Sequence, residues 1–212
     1  FLNYNKNYSI KKYNNDIKKT VNKILPSIGT LIAGHSRLIT NSTPDNQPVL
    51  RNDVVCIHNG IIINFKEIFF KYKLDQKLNI DTEILPVLIN YYLEKNYNLE
   101  EVIDNILQDC EGIICCAAVI PKLGKLLLFS NNGSLYGGKK NDNYHFASEK
   151  YFLEYINCSD IKQITKKVLD IPKSDDSIDV WEEKDKTRED FVPTLSKDIQ
   201  LEKLLIHKNH QL

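Results

Sequence analysis

The stretch RNDVVCIHNGIIINFKEI, residues 51–68, contains the pattern on which the reading of this chain depends. Its apolar run, residues 54–57, is typical of a buried β-strand. His58, Asn59 and Gly60 interrupt the run, and a second apolar run then acquires helical spacing. Asn-Gly is a strong hairpin signal, although the helical spacing that follows weakens a simple hairpin. Alternatively, the interruption bends the backbone so that an amide and an N–H face a substrate.

The composition indicates one domain of ordinary size. The chain has 212 residues, a formal net charge of +0 and a hydrophobic content of 42%, which is enough to bury a core. The even charge balance argues against a dedicated nucleic-acid-binding protein. No apolar stretch reaches the roughly 18 residues of a membrane span, and the polar N-terminal residues do not resemble a signal peptide.

The chain contains five cysteines and no CxxC pair. An odd number without framework spacing is typical of reduced thiols in a cytosolic protein. Cys115 and Cys116 lie in an apolar run, where free cysteine packs as a small hydrophobe. The chain has no methionine and begins with Phe1, so we expect it to be part of a longer protein.

Periodicity predicts helices in the middle of the chain and strands on both sides. Helices are expected at 64–73, 81–96, 99–110 and 149–156, and a further short one near 16–24. Strands are expected at 29–39, 53–59, 113–120, 125–130, 144–148 and 164–172, with turns at 121–125 and 131–138. Asp81 is a plausible N-cap, and Pro86 predicts either a kink or a shifted helix start. This grouping favours α+β layers over a parallel βαβ arrangement.

Three polar clusters stand out against these apolar segments. The first is residues 34–37, followed by Thr40. The planar fork of Arg37 suits a ligand carboxylate in two-point contact. From this cluster alone, however, pairing of Arg37 with a structural acid is favoured. The second is Asn59-Gly60, whose side-chain amide and backbone N–H would form an oxyanion hole. The third is residues 81–83, where Asp81 caps a helix, accepts a ligand ammonium, or does both. Together they describe a site for an amino acid with a reactive carbonyl.

Four segments carry a resemblance to a known family: GHSRLITNSTPDNQP, VVCIHNGIIINFKEI, DTEILPVLI and FASEK. They resemble the class II glutamine amidotransferase domain, the N-terminal nucleophile hydrolase type found in glucosamine-6-phosphate synthase and asparagine synthetase. The resemblance covers roughly residues 29–170. HNGII is closer to the first branch, whereas NQP and NFKE are closer to the second. The implied fold is α+β, a four-layer α/β/β/α sandwich that lacks its first strands here.

The resemblance also implies a role for individual residues. Arg37 would hold the α-carboxylate of glutamine, Thr40 would line the pocket, and Asp81 would bind the α-ammonium. Asn59 and Gly60 would stabilise the oxyanion, and His58 would be structural. The implied reaction is hydrolysis of glutamine to glutamate and ammonia for an acceptor such as a sugar phosphate, with no metal or organic cofactor.

The chain departs from the family pattern at two points. Leu38 and Ile39 follow the arginine, where the glucosamine-6-phosphate synthase branch has an aromatic and a small residue; the leucine is closer to the asparagine synthetase branch. The family nucleophile is a cysteine at the mature N-terminus whose own α-amino group serves as the base. Residue 1 is Phe, and no cysteine precedes Cys56.

These departures leave two functional hypotheses. The first is an amidotransferase of either branch whose catalytic cysteine lies upstream, so that this chain alone is inactive. The second is a catalytically inactive glutamine-binding or scaffold domain that regulates a partner. In both, residues 1–172 are predicted to be the incomplete amidotransferase domain. Residues 173–212, which are highly charged, are predicted to be a linker or the start of a synthase domain. The expected partners are glutamine and an ammonia-accepting synthase, with no nucleic acid or membrane, in the cytoplasm.

Overall fold

The computed structural model describes residues 2–5, 7–10, 12, 30–36 and 46–172. The described strands are β1 (Leu2–Asn5), β2 (Asn7–Ile10), β3 (Leu31–Ala33), β4 (Val49–Arg51), β5 (Val54–Ile62), β6 (Gly112–Ile120), β7 (Lys125–Ser130), β8 (Tyr136–Lys140), β9 (Asn143–Ala147), β10 (Ser159–Gln163) and β11 (Lys166–Asp170). The described helices are α1 (Phe65–Lys71), α2 (Ile84–Glu94), α3 (Leu99–Asp109) and α4 (Lys150–Tyr155), with short 3₁₀ turns at Asp81–Glu83 and Pro121–Leu123.

A five-stranded antiparallel sheet is the centre of the fold, in the order β11-β7-β6-β5-β4. Both faces of this sheet are buried, so its strands are nearly continuous apolar runs. Side chains of β5 alternate between the faces: Val54 and Cys56 belong to one apolar core, and Val55 and Ile57 to another. The two cores define the layers on either side of the sheet.

Helices cover one face of the central sheet and a second layer of strands covers the other. The first core joins α1, α2 and α3 to the sheet. The second core joins the sheet to the β10-β8-β9 sheet and to residues of the β2-β1-β3 sheet. Helix α4 packs against β8, β9 and β10, and its buried residue Leu153 lies outside the second core. The layers therefore follow the order helix, sheet, sheet, helix, which confirms the predicted α/β/β/α sandwich.

Local sequence features explain where helices α2 and α3 begin. Asn98 and Glu101 form a reciprocal capping box at the start of α3, which satisfies two backbone N–H groups. Helix α2 begins at Ile84, so Pro86 falls in the first turn, where its missing N–H costs no intrahelical bond. The shifted start predicted from Pro86 is therefore confirmed.

The prediction that the strand breaks at residues 58–60 is wrong. Strand β5 continues to Ile62, and all of its residues from Val55 onward face residues of β6. Gly60 makes this continuation possible, because its φ of +145° is a conformation that other residues rarely adopt. The Asn-Gly pair is therefore neither a hairpin turn nor the end of the strand.

Several other elements differ from the sequence prediction. Residues 136–138, expected in a turn, begin β8, because Gly137 leaves room for the Tyr144 hydroxyl of β9; a Cβ there would lie 1.9 Å from its oxygen. Within the described residues 30–36, the strand expected at 29–39 is only Leu31–Ala33. Strands β1, β2, β4 and β10 were not predicted. The helix expected near 16–24 and the tail from 173 lie outside the described residues.

Candidate active site

Asn59 and Gly60 lie near the end of β5, opposite Cys115 and Ile114 of β6. The Asn59 side chain is exposed and shares its sheet face with Ile57, at the edge of the second core. Gly60 contacts its neighbours so closely that a Cβ would lie 2.0 Å from the carbonyl oxygen of Ile113. Only glycine fits this position, and Gly60 is itself exposed.

Asp81 reaches the same strand from the 3₁₀ turn. Its Oδ2 accepts the backbone N–H of Ile62 at 2.8 Å, and its Oδ1 accepts the N–H of Thr82 at 2.8 Å. It does not cap α2, because the N-cap position of that helix is Glu83, which makes no side-chain cap bond. The capping prediction is therefore wrong, and the carboxylate instead ties the turn to the end of β5.

The structure brings three of the five predicted site residues together and does not describe the other two. Asp81 is half-buried, and each of its oxygens has a further lone pair for a ligand donor. Asn59 and Gly60 lie two to three positions before its partner Ile62 on one strand. Arg37 and Thr40 lie outside the described residues.

A buried neutral network lies directly beneath this segment and was not predicted from the sequence. The amide of Gln47 makes two bonds with the backbone of His58: its Oε1 accepts the N–H at 2.6 Å, and its Nε2 donates to the carbonyl at 2.8 Å. The register of β4 and β5 pairs Val49 with Cys56, so Gln47 is the next residue in line to face His58. The Gln47 side chain therefore makes the two bonds to the His58 backbone that a strand ladder would make.

The second part of the network joins His58 to Thr82. The Thr82 hydroxyl lies 3.3 Å from Nδ1 of His58 and accepts Nε2 of Gln47 at 3.2 Å. The Nε2 of His58 lies 3.1 Å from the carbonyl oxygen of Ile113. All three side chains of the network are buried. The network therefore links β4, β5, β6 and the 3₁₀ turn behind the candidate site.

The charge state of His58 follows from these partners. Burial lowers its pKa, and this effect is opposed by the bond to the Ile113 carbonyl and by the charge of Asp81. A neutral imidazole that faces a carbonyl at Nε2 carries its proton there, so Nδ1 accepts the Thr82 hydroxyl proton. The expectation that His58 has a structural role agrees with this geometry.

A buried ion pair lies on the other side of the same turn. Arg51 pairs with Glu83, which is fully buried, and also donates to the carbonyl of Asp75 at 2.9 Å. Glu83 also accepts the backbone N–H groups of Lys77 and Leu78, at 3.0 and 2.8 Å. This pair fixes the loop that leads into Asp81. In the sequence, Arg51 and Glu83 are charged residues next to apolar segments, but this pattern does not identify them as partners.

Three of the five cysteines are poor nucleophiles. Burial is the largest cause that raises the pKa of Cys110 and of Cys115 to about 12, and it also raises that of Cys116. Cys115, which faces Asn59 across the ladder, donates its thiol to the carbonyl of Ser134 at 2.8 Å. The buried packing predicted for Cys115 and Cys116 is confirmed.

Within the described ranges, no helix is long and apolar enough to cross a membrane. Nor do three or more His, Cys, Asp or Glu side chains of those ranges converge in a way that could hold a metal ion.

The comparison with family models gives the decisive observation. Residues 35–154, more than half of the chain, match the model of the glutamine amidotransferase domain. The chain belongs to this family. The matched range contains every site residue expected from the sequence, and the resemblance stated from the four segments is thereby confirmed.

Known relatives of this amidotransferase domain are much longer than the chain. It is 32% identical over 136 residues to a glutamine–fructose-6-phosphate aminotransferase of Thermococcus kodakarensis, covering 58% of this chain and 22% of the relative. A protein of the same name from Sulfolobus acidocaldarius is 24% identical over 164 residues, covering 71% and 28%. A 7-cyano-7-deazaguanine synthase of Saccharolobus solfataricus is 37% identical over 68 residues, covering 32% and 14%. The chain thus spans less than a third of each of these relatives.

Solved structures support the same architecture for this amidotransferase domain. The glutamine phosphoribosylpyrophosphate amidotransferase from B. subtilis superposes with a TM-score of 0.51 at 20% identity, covering 66% of this chain and 34% of that one. At this identity the likeness concerns the fold, which is that of the N-terminal nucleophile hydrolases.

Proposed function

We propose that the intact protein hydrolyses the side-chain amide of glutamine and delivers the ammonia to a synthase domain or subunit that acts on a sugar phosphate. Membership of the glutamine amidotransferase domain family supports the first half. The names of the relatives from Thermococcus and Sulfolobus, glutamine–fructose-6-phosphate aminotransferases, support the acceptor. The free cysteines are consistent with a cytosolic location.

The proposed site binds the two charged α-groups of glutamine and its side-chain amide. Arg37 binds the α-carboxylate, Asp81 binds the α-ammonium, and Thr40 lines the pocket. The Asn59 side-chain amide and the Gly60 N–H stabilise the oxyanion that forms when the amide carbon becomes tetrahedral. Collapse of the tetrahedral intermediate breaks the C–N bond and releases ammonia, which leaves a thioester with the enzyme. Water then cleaves the thioester and releases glutamate, and no metal or organic cofactor takes part.

The observation that carries this proposal is the bond between Asp81 Oδ2 and the N–H of Ile62. It anchors a half-buried carboxylate to the strand that presents Asn59 and Gly60. The carboxylate that binds the ammonium and the donors that bind the oxyanion are then all held by residues 59–62 of one strand. Sites built on strands hold this kind of geometry more precisely than sites on loops.

The nucleophile in the proposal is the thiolate of an N-terminal cysteine, with its α-amino group as the base. None of the five cysteines has a free α-amino group, because all lie inside the chain. The 212-residue chain alone is therefore expected to bind glutamine without hydrolysing it.

Glutamine binding by the 212-residue chain tests the substrate sites. Isothermal titration calorimetry should detect L-glutamine binding, and Arg37→Ala and Asp81→Asn should each weaken it by roughly 10- to 100-fold, because each removes a hydrogen bond to a charged group. Asp104→Asn, a change in the exposed ion pair with Lys166, is the matched control and should bind normally. Wild-type affinity in both site variants would contradict the assigned roles.

A second candidate function is a glutamine-binding regulatory domain, which would use the half-buried carboxylate of Asp81 for binding without catalysis. Sequencing the gene upstream of Phe1 and assaying glutamate release by the extended protein separates the two. A cysteine at the mature N-terminus together with glutamate release supports the amidotransferase. Binding without such a cysteine and without glutamate release supports the regulatory domain.

A further inference from the structure

Thr82 lies between the two halves of the candidate site. It follows Asp81 directly in the 3₁₀ turn, and its hydroxyl contacts the ring of His58, the residue before Asn59. Its side chain is fully buried, with a relative exposure of 0%. A buried hydroxyl in this place joins the residue expected to bind the ammonium to the segment expected to bind the oxyanion.

The direction of each hydrogen bond in this link is fixed by its partners. The carbonyl of Ile113 can only accept, so Nε2 of His58 donates to it. In the neutral ring Nδ1 is then an acceptor, which requires the Thr82 hydroxyl to donate. The same hydroxyl oxygen accepts Nε2 of Gln47. In this arrangement every polar atom of the link has a partner. The Thr82 hydroxyl also lies 3.5 Å from Oδ1 of Asp81, a longer contact than the 3.3 Å to Nδ1 of His58.

The ring of His58 in turn lies against Gly60. A Cβ built on Gly60 would be 2.9 Å from Nε2 of His58, so the ring is in close contact with the backbone of the oxyanion segment. Any rotation of the ring would change both its bond to Ile113 and its contact with Gly60. The orientation of the imidazole therefore affects the Gly60 backbone, which the ladder with β6 also positions.

We infer that Thr82 is a positioning residue, whose buried hydroxyl locks the neutral ring of His58 and so holds Asn59 and Gly60 in a fixed place relative to Asp81. Removal of the hydroxyl leaves Nδ1 of His58 without a donor and Nε2 of Gln47 without one of its acceptors. The ring then keeps only its bond to the Ile113 carbonyl. The inference rests on the proposed function, because it concerns the geometry of the proposed glutamine site.

The test compares Thr82→Val, which removes the hydroxyl at nearly constant volume, with Thr82→Ser, which keeps it. Thr82→Val should weaken L-glutamine binding by about tenfold, whereas Thr82→Ser should stay within about twofold of wild type, as expected for a hydrogen bond of ordinary strength. Ser130→Ala removes a comparably buried hydroxyl, which bonds Asn132, and is the control that should bind normally.

A spectroscopic readout separates positioning from loss of stability. In wild type, the ring nitrogen shifts of His58 in ¹⁵N NMR spectra should report the Nε2–H tautomer with a hydrogen bond at Nδ1. In Thr82→Val the Nδ1 shift should move, and the amide resonances of Asn59, Gly60 and Ile62 should move with it. In Thr82→Ser and Ser130→Ala these resonances should stay close to wild type. Unchanged Asn59 and Gly60 resonances in Thr82→Val would overturn the inference.

Two outcomes distinguish this inference from the proposed function. If wild type does not bind L-glutamine, the proposed function fails, and the amide resonances alone decide the inference. If Thr82→Val does not fold, Thr82→Ala tests the same link, because it also removes the hydroxyl and leaves both bonds of Gln47 to the His58 backbone in place. The same three amide resonances should then move, and their invariance would overturn the inference.

Discussion

Two buried polar clusters meet at the turn Asp81–Glu83, and they are built differently. The pair of Arg51 and Glu83 is charged and holds the loop at residues 75–78. The cluster of Gln47, His58 and Thr82 is neutral and holds the strand behind Asn59 and Gly60. A charge stranded in a protein interior costs far more than a lost neutral hydrogen bond. We therefore expect the charged cluster to govern stability and the neutral one to govern the geometry of the site.

The largest effect is expected from breaking the charged cluster. Glu83→Gln keeps the shape of the side chain but leaves Arg51 buried without its counter-charge. The free energy of unfolding should fall by about 3–5 kcal/mol, as measured by urea denaturation. The control is Asp104→Asn, whose partner Lys166 is exposed, and it should cost less than about 1 kcal/mol. A fall in the free energy of unfolding of less than about 1 kcal/mol in Glu83→Gln would contradict the expected difference between the two clusters.

The next effect concerns the glycine against which His58 packs. Gly60→Ala forces a Cβ into the carbonyl of Ile113 at a φ of +145°, so it should cost about 3 kcal/mol and weaken glutamine binding as well. Gly133→Ala is the control: its φ is +78°, but its Cβ would meet the end of the Gln163 side chain, which can move. It should cost about 1 kcal/mol and leave binding unchanged. Equal losses of stability and of glutamine binding in both variants would contradict a special role for Gly60.

The smallest effect is a pH dependence of the neutral cluster. Because burial lowers the pKa of His58 in the folded protein, the unfolded chain takes up a proton first as the pH falls below 6.5. Stability is thus fully present above that pH and is lost on acidification, with a slope of at most about 1.4 kcal/mol per pH unit for one proton. Denaturation of wild type and His58→Gln between pH 7 and pH 5 should show a shallower decline in the variant.

Ser130→Ala provides the comparison for that experiment, because it removes a buried hydroxyl that does not titrate and that bonds Asn132 rather than the network. Its decline with pH should match that of wild type. If His58→Gln also declines as steeply as wild type, the folded protein does not keep His58 neutral, and the assignment of its tautomer is wrong.

The sequence predicted the helical side of the fold well. Strong 3.6-residue periodicity located α1, α2 and α3 to within a few residues, since their apolar faces are set by local spacing. The capping box of α3 is equally local, because it joins Asn98 and Glu101. The sequence failed at β8, where glycines typical of turns instead allow close packing against β9. Propensity assigned those glycines to a turn, whereas the neighbouring strand decides their role.

For the candidate site, the sequence identified the segments but not their connections. It selected Asn59, Gly60 and Asp81 from chemistry and family resemblance. It assigned a strand break and a helix cap, and both are replaced in the structure by pairing with residues far along the chain. Gln47 carried no local signal and the charge of Arg51 did not identify its partner, because a single polar residue beside an apolar run is usually a surface residue.

By itself, the sequence determined the layered α+β class, the family and the residue types available for holding glutamine. Those features depend on local periodicity and on short motifs. Only the tertiary structure decided which donor meets which acceptor: Thr82 with His58, His58 with Ile113, and Arg51 with Glu83, across 24, 55 and 32 positions of the chain. The reason is physical: a polar group removed from water must find a partner, and the packing of the layers fixes which partner lies within reach.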